Sequence, residues 1–116
     1  MDKILSIWKP VNITSYDVIR KLKKIYPNTK IGHCGTLDPF AEGILIVCMG
    51  KYTKEVSQIM SYKKTYEISL KLGSETDTLD STGIVIKKNK KNITYSKHKI
   101  ENVINSFIGE IKQVPP

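Results

Sequence analysis

Nine residues constrain this chain more than any others: Gly32-His33-Cys34-Gly35-Thr36-Leu37-Asp38-Pro39-Phe40, set between apolar segments. Two glycines let a backbone turn sharply and let a ligand approach it closely. The Asp38-Pro39 step fixes the chain just past the carboxylate. The run therefore reads as a stiff loop that presents one acid at a defined angle, with an imidazole and a hydroxyl nearby. Taken alone, Asp-Pro is also a common turn former.

The segments around this loop alternate between strand and helix signals. Ile4 to Trp8 reads as a strand stopped by Lys9-Pro10. Thr14 to Asp17 has the spacing of a helix capping box, with Val18, Leu22 and Ile25 following at helical intervals and Pro27 closing the element. Gly43 to Met49 is a continuous, β-branched apolar run, which predicts a buried strand. Thr53 to Met60 reads as a short helix. Lys64 to Leu72 alternates, with Tyr66, Ile68, Leu70 and Leu72 on one side, and predicts a half-buried strand. Gly73 to Gly83 is polar and turn-rich. A strand from Ile84 to Lys87 runs into a solvated lysine-rich stretch reaching Asn92. Ser96 to Ile108 has a helical stripe of Ile100, Val103, Ile104 and Phe107, and Glu110 to Val114 reads as a last short strand. The expected class is α+β, a mixed and largely antiparallel sheet with flanking helices.

At 116 residues the chain has room for one domain, and its 40% apolar content is enough for a core. The formal net charge of +8, with 19 basic against 11 acidic residues, favours a polyanionic partner such as nucleic acid. Arg20 is the only arginine, so the charge should hold a phosphate backbone and say little about sequence. Part of the lysine excess also suits an AT-rich genome. Two cysteines do not make a disulfide scaffold, and the spacing of His33, Cys34, Cys48 and His98 matches no common zinc pattern, so no metal is expected. No signal peptide opens the chain, and no segment approaches the roughly 20 apolar residues of a membrane span. A cytoplasmic protein is expected.

Six ordered motifs resemble the tRNA pseudouridine synthase B family. The loop is similar to its G-H-T-G-T-L-D-P, with Cys34 in place of the usual threonine. Lys9-Pro10 with Thr14-Ser15 and Asp17 resembles K-P-x-G-x-T-S-H-D, with Asn12 for the glycine and Tyr16 for the histidine. Gly43-Ile44-Leu45, Gly50 and Thr53-Lys54 resemble G-V-L-x-V-x-x-G-x-x-T-K, and Lys64-Thr65-Tyr66 resembles K-x-Y. Leu72-Gly73, Thr76-Asp77-Thr78, Asp80 and Gly83 resemble L-G-x-x-T-D-T-x-D-x-x-G, and Gln113 to Pro116 its Q-x-P-P.

The resemblance implies the pseudouridine synthase catalytic fold, with residues 1–116 as its N-terminal part and no C-terminal RNA-binding domain. It implies isomerisation of uridine-55 in the T-loop of tRNA, with the T-arm of tRNA and the remaining C-terminal portion of the enzyme as partners. The reaction breaks the N1–C1′ bond, turns the base and joins C5 to C1′, so no cofactor is required. The family's role for the loop aspartate falls on Asp38, which initiates glycosidic cleavage as a nucleophile or by a related route. Tyr66 would stack on the uracil, unless it is an ordinary core tyrosine; such stacking is worth roughly 1–3 kcal/mol per base. His33 would brace the flipped-out nucleotide, and Thr36 would bond the loop backbone. Lys64 and Lys9 would support the site or meet a phosphate, or else lie solvated. Asp77 and Asp80 read as turn and capping residues. The family also supplies an arginine and a further aromatic from beyond its Q-x-P-P, and Arg20 lies in the wrong motif to replace that arginine. The alternative is a non-catalytic RNA-binding or tRNA-folding fragment that needs the C-terminal portion for activity.

Two other enzyme classes do not fit. A hydrolase built from Cys34, His33 and Asp38 would need loop neighbours to converge, and consecutive side chains do not face one another. A phosphate-binding loop needs Gly-Lys-Ser/Thr opening a helix, where this chain has Gly-Thr-Leu-Asp.

Overall fold

The computed structural model describes residues 1–89 and 94–115. It divides into two compact units, Met1–Tyr66 and Glu67–Pro116. Helices and antiparallel strands occur together, as the α+β expectation required.

The first unit is a three-stranded antiparallel sheet: β1 (Lys3–Lys9), β2 (Ile31–Cys34) and β3 (Gly43–Met49), in the order β1-β3-β2. The apolar run Gly43–Met49 takes the centre because only a strand with neighbours on both edges and cover on its faces can bury so continuous a pattern. Its register runs from Lys3 opposite Met49 to Lys9 opposite Gly43, and from Ile31 opposite Met49 to Cys34 opposite Ile46. That pairing puts Leu5, Ile7, Lys9, Ile31, His33, Leu45, Val47 and Met49 on one face.

Helix α1 (Ser15–Ile25) covers this face with Val18 and Ile19, forming a buried core with Leu45, Val47 and Met49. The predicted capping box is formed. The Asp17 N–H donates to Thr14 Oγ1 at 3.0 Å, and the Thr14 N–H to Asp17 Oδ2 at 2.9 Å. Cys34 and Cys48 are buried on the opposite face, where the Val56 side chain lies 3.6 Å from where a Cβ on Gly32 would stand.

Three readings need adjustment. Residues 32–34, read with the glycine loop, belong to β2 (Ile31–Cys34), which pairs with β3. The predicted helix over 53–60 is a 3-10 turn (Gly50–Glu55) leading into the short helix α2 (Val56–Met60). The predicted strand over 64–72 is not formed. Those residues carry no regular structure and are exposed, Leu70 by 80%. Alternation makes a strand only where a neighbour takes its hydrogen bonds, and among the described residues no strand pairs with this one.

The second unit contains a hairpin of β4 (Ser74–Thr76) and β5 (Val85–Lys88), with an irregular register between Glu75 and Thr76. Its intervening loop is organised by carboxylates. Asp80 Oδ1 accepts from the Thr78 hydroxyl, the Thr82 N–H and the Thr82 hydroxyl, and Asp77 Oδ1 accepts from the Ile84 N–H. Both aspartates therefore act as turn residues.

Helix α3 (Lys97–Asn105) is capped by Ser96 Oγ, which accepts from the Lys99 N–H at 3.1 Å. Its apolar stripe stays exposed, and so do Ile84, Val85 and Ile86. The predicted strand over 110–114 is not formed. The lysine-rich stretch and the terminal proline pair each run into residues outside the described ones. No helix among the described residues is long and apolar enough to cross a membrane.

Candidate active site

The Asp38 loop leaves the end of β2 and returns to the start of β3, so the sheet fixes both of its ends. Gly35 opens it at φ +86°, a conformation that a side chain would strain. Between these ends the loop is held from outside by Lys9, Asn12 and Ser15. Ser15 Oγ accepts from the Leu37 N–H at 2.9 Å and donates to the Leu37 carbonyl at 3.2 Å. The Asn12 N–H donates to the Pro39 carbonyl at 2.6 Å. Asp38 sits between these two anchors, and its own carbonyl accepts from the Ala41 N–H at 3.0 Å. Its side chain is exposed, so a well-fixed backbone presents a carboxylate to solvent.

Lys9 is placed differently from the expected substrate contact. It is 0% exposed, and its ammonium donates to the carbonyls of Pro10 (2.7 Å), Ile13 (2.8 Å) and Pro39 (3.4 Å). A buried ammonium is tolerated only when its donors are satisfied. Here all three go to backbone, and one of the acceptors is the residue after Asp38. Lys9 thus ties the turn at 10–13 to the loop.

Asn12 completes that turn at φ +66°. The family pattern has glycine at this position, and asparagine is among the few other residues that visit the left-handed region readily.

His33 is half-buried, and its Nδ1–H donates to the Gly35 carbonyl at 2.5 Å. A carbonyl can only accept, so Nδ1 carries the proton of this bond. Lys64 is brought beside the loop: its Cε lies 3.8 Å from where a Cβ on Gly35 would stand. Its ammonium donates to the carbonyls of Met60 (2.5 Å) and Tyr62 (3.1 Å). Thr36 is exposed on the loop. Tyr66 is 60% exposed on the segment without regular structure, so the described structure does not place it in a core.

Cys34 takes no part in the exposed site. Adjacent strand residues point to opposite faces, and its thiol lies 3.5 Å from Cys48 Sγ, away from His33. Burial first, then the bond with Cys48, pushes the Cys34 thiol up to about 11. It is a protonated thiol at neutral pH and no nucleophile.

Ser15 escaped the sequence reading. The signal available was a second hydroxyl directly after a helix cap that Thr14 already supplies.

The chain belongs to a family of RNA-modifying isomerases: the model for "TruB family pseudouridylate synthase (N terminal domain)" matches residues 23–116. Among curated relatives, the tRNA pseudouridine synthase B of Clostridium acetobutylicum is 50% identical over 116 residues, all of this chain and 39% of the relative. That of Fusobacterium nucleatum is 49% identical over the same span, covering 40% of its own length. That of Caldanaerobacter subterraneus is 41% identical, again over 40% of the relative. The chain thus spans about two fifths of the length of the curated relatives it matches.

Proposed function

We propose that the protein isomerises a uridine of tRNA to pseudouridine, at position 55 of the T-loop, with Asp38 as the catalytic carboxylate. The observation that carries this reading is the loop itself. An exposed aspartate held from both sides by backbone anchors is suited to attack or stabilise one carbon of a bound sugar, because little reorganisation is left for the reaction.

In this reading the N1–C1′ bond breaks at Asp38 and the uracil turns within the site. C5 then joins C1′, with loss of the C5 proton and gain of one at N1. His33 braces the extruded nucleotide through its free Nε2 edge, and Thr36 lies within the same loop. Lys64 offers positive charge beside Gly35. Tyr66 stacks on the base. Lys9 acts through the loop, because burial leaves its ammonium no path to a phosphate. Residues 1–116 are read as the N-terminal part of the catalytic domain, working in the cytoplasm on the T-arm of tRNA together with the rest of the enzyme.

The test is tritium release from C5-labelled tRNA by the protein and by its Asp38→Asn variant. Release by the wild type and none by the variant supports the reading.

A second reading has its own support. The first unit carries eleven basic against five acidic residues, and Tyr66 is exposed. A tRNA-binding or tRNA-folding role without turnover needs only that charge. Salt-sensitive tRNA binding with no tritium release would favour it.

A further inference from the structure

We propose that Ser15 is a positioning residue for Asp38, acting through the peptide groups of Leu37; this rests on the reading of Asp38 as the catalytic carboxylate. Ser15 is the first residue of α1 and is 2% exposed. A buried hydroxyl with no partner is destabilising, so its bonds decide why it is there. It does not cap its own helix, since Thr14 accepts from the Asp17 N–H. Instead it uses one acceptor and its donor on the two backbone groups of a single residue 22 positions away.

These two groups belong to different peptide planes. The Leu37 N–H lies in the plane shared with Thr36. The Leu37 carbonyl lies in the plane shared with the nitrogen of Asp38, and that plane is rigid. Holding the carbonyl therefore fixes the peptide unit from which the Asp38 side chain departs.

The hydroxyl can act as an anchor because it is itself immobile. Val18 and Ile19 pack the first turns of α1 into the core against Leu45, Val47 and Met49, and that packing does not depend on the cap. The chain beyond Asp38 is held separately, through the Pro39 carbonyl. Ser15 thus controls the approach to Asp38 from the N-terminal side, and the turn at 9–12 controls the departure.

Ser15→Ala would remove both bonds while keeping the size of the site, leaving the Leu37 N–H and carbonyl without these partners. Thr14→Ala is the control, because it weakens the same helix by loss of its cap without touching the loop. The experiment compares the two variants in the protein by amide hydrogen exchange and by tritium release from C5-labelled tRNA.

The expected result is faster exchange at Leu37 in Ser15→Ala, by about tenfold or more, with Val47 unchanged. Its kcat should fall by about tenfold or more, with KM within about twofold, whereas Thr14→Ala should leave kcat near wild type. Ser15→Thr, which keeps the hydroxyl, should restore protection at Leu37. Wild-type exchange at Leu37 in Ser15→Ala, or equal kcat losses in both variants, would overturn the proposal. The exchange measurement reads the clamp whether or not uridine is turned over. A wild type with a protected Leu37 and no tritium release would therefore count against the proposed activity and not against the clamp.

Discussion

Asn12 reaches across to Pro39, its backbone N–H donating to the proline carbonyl at 2.6 Å, and it does so from a left-handed conformation at φ +66°. The residue just before Pro39 is Asp38, so strain at position 12 bears directly on the loop. Asn12→Gly should be neutral within about 0.5 kcal/mol, while Asn12→Val should cost about 1–2 kcal/mol. Thermal unfolding of the two variants checks this, and equal melting temperatures would contradict the assignment of strain.

Cys34 and Cys48 should behave as buried thiols. With Sγ atoms 3.5 Å apart and the Cys34 thiol pushed up to about 11, almost none of it is thiolate at neutral pH. Ellman's reagent should label the folded protein slowly and both cysteines rapidly after denaturation. Fast labelling of the folded protein would show that the β2–β3 face is open.

The cap of α1 should make stability sensitive to acid. Hydrogen bonds with the Thr14 backbone and hydroxyl, then the nearby Arg20 and Lys21, hold the Asp17 carboxyl below its usual 3.8. A lowered folded-state value means that the unfolded chain takes up the proton first. The contribution of Asp17 is therefore fully present above pH 3.8 and is lost as pH falls through the folded value. Asp17→Asn should melt below the wild type at neutral pH, with the gap narrowing below pH 3.8. A gap that stays constant across that range would sink this account of the cap. Asp80, held low by Thr82 and Thr78, should add loss in the same direction.

Lys21, Lys23 and Lys24 lie exposed on α1, and Arg20 and Lys23 sit over the Tyr16 ring at 5.0 and 5.6 Å. If this face meets tRNA phosphates, replacing the three lysines with glutamine should weaken tRNA binding. The log–log salt slope should fall by about one for each phosphate no longer neutralised. An unchanged slope would place the RNA elsewhere.

Much of the first unit was legible because its signals were local. The Thr14–Asp17 capping box, the apolar run at 43–49 and the short strand before Lys9-Pro10 each carry their own cause. The edge strand β2 was hidden because Gly32 and Gly35 read as loop, and its strand character comes from pairing with β3. The segment 64–72 failed in the opposite direction. Its alternation is a statement about faces, and a strand also needs a hydrogen-bonding neighbour. The alternatives for Lys9 stayed open in the sequence for a related reason: it shows an ammonium but not the three carbonyls that enclose it. The loop that carries Asp38 was legible through its motif, whereas the clamp by Ser15 depends on hydrogen bonds to a residue 22 positions away, which no local pattern reports.

The most direct test of the catalytic role of Asp38 is its Asp38→Asn variant in the full-length protein, assayed for tritium release from C5-labelled tRNA alongside tRNA binding. Asparagine keeps the size and shape of the side chain and removes the charge that would attack or stabilise the sugar carbon. Release should be abolished while tRNA affinity stays within a few-fold of the wild type, since phosphate contacts dominate affinity. Wild-type release by the asparagine variant would contradict that role.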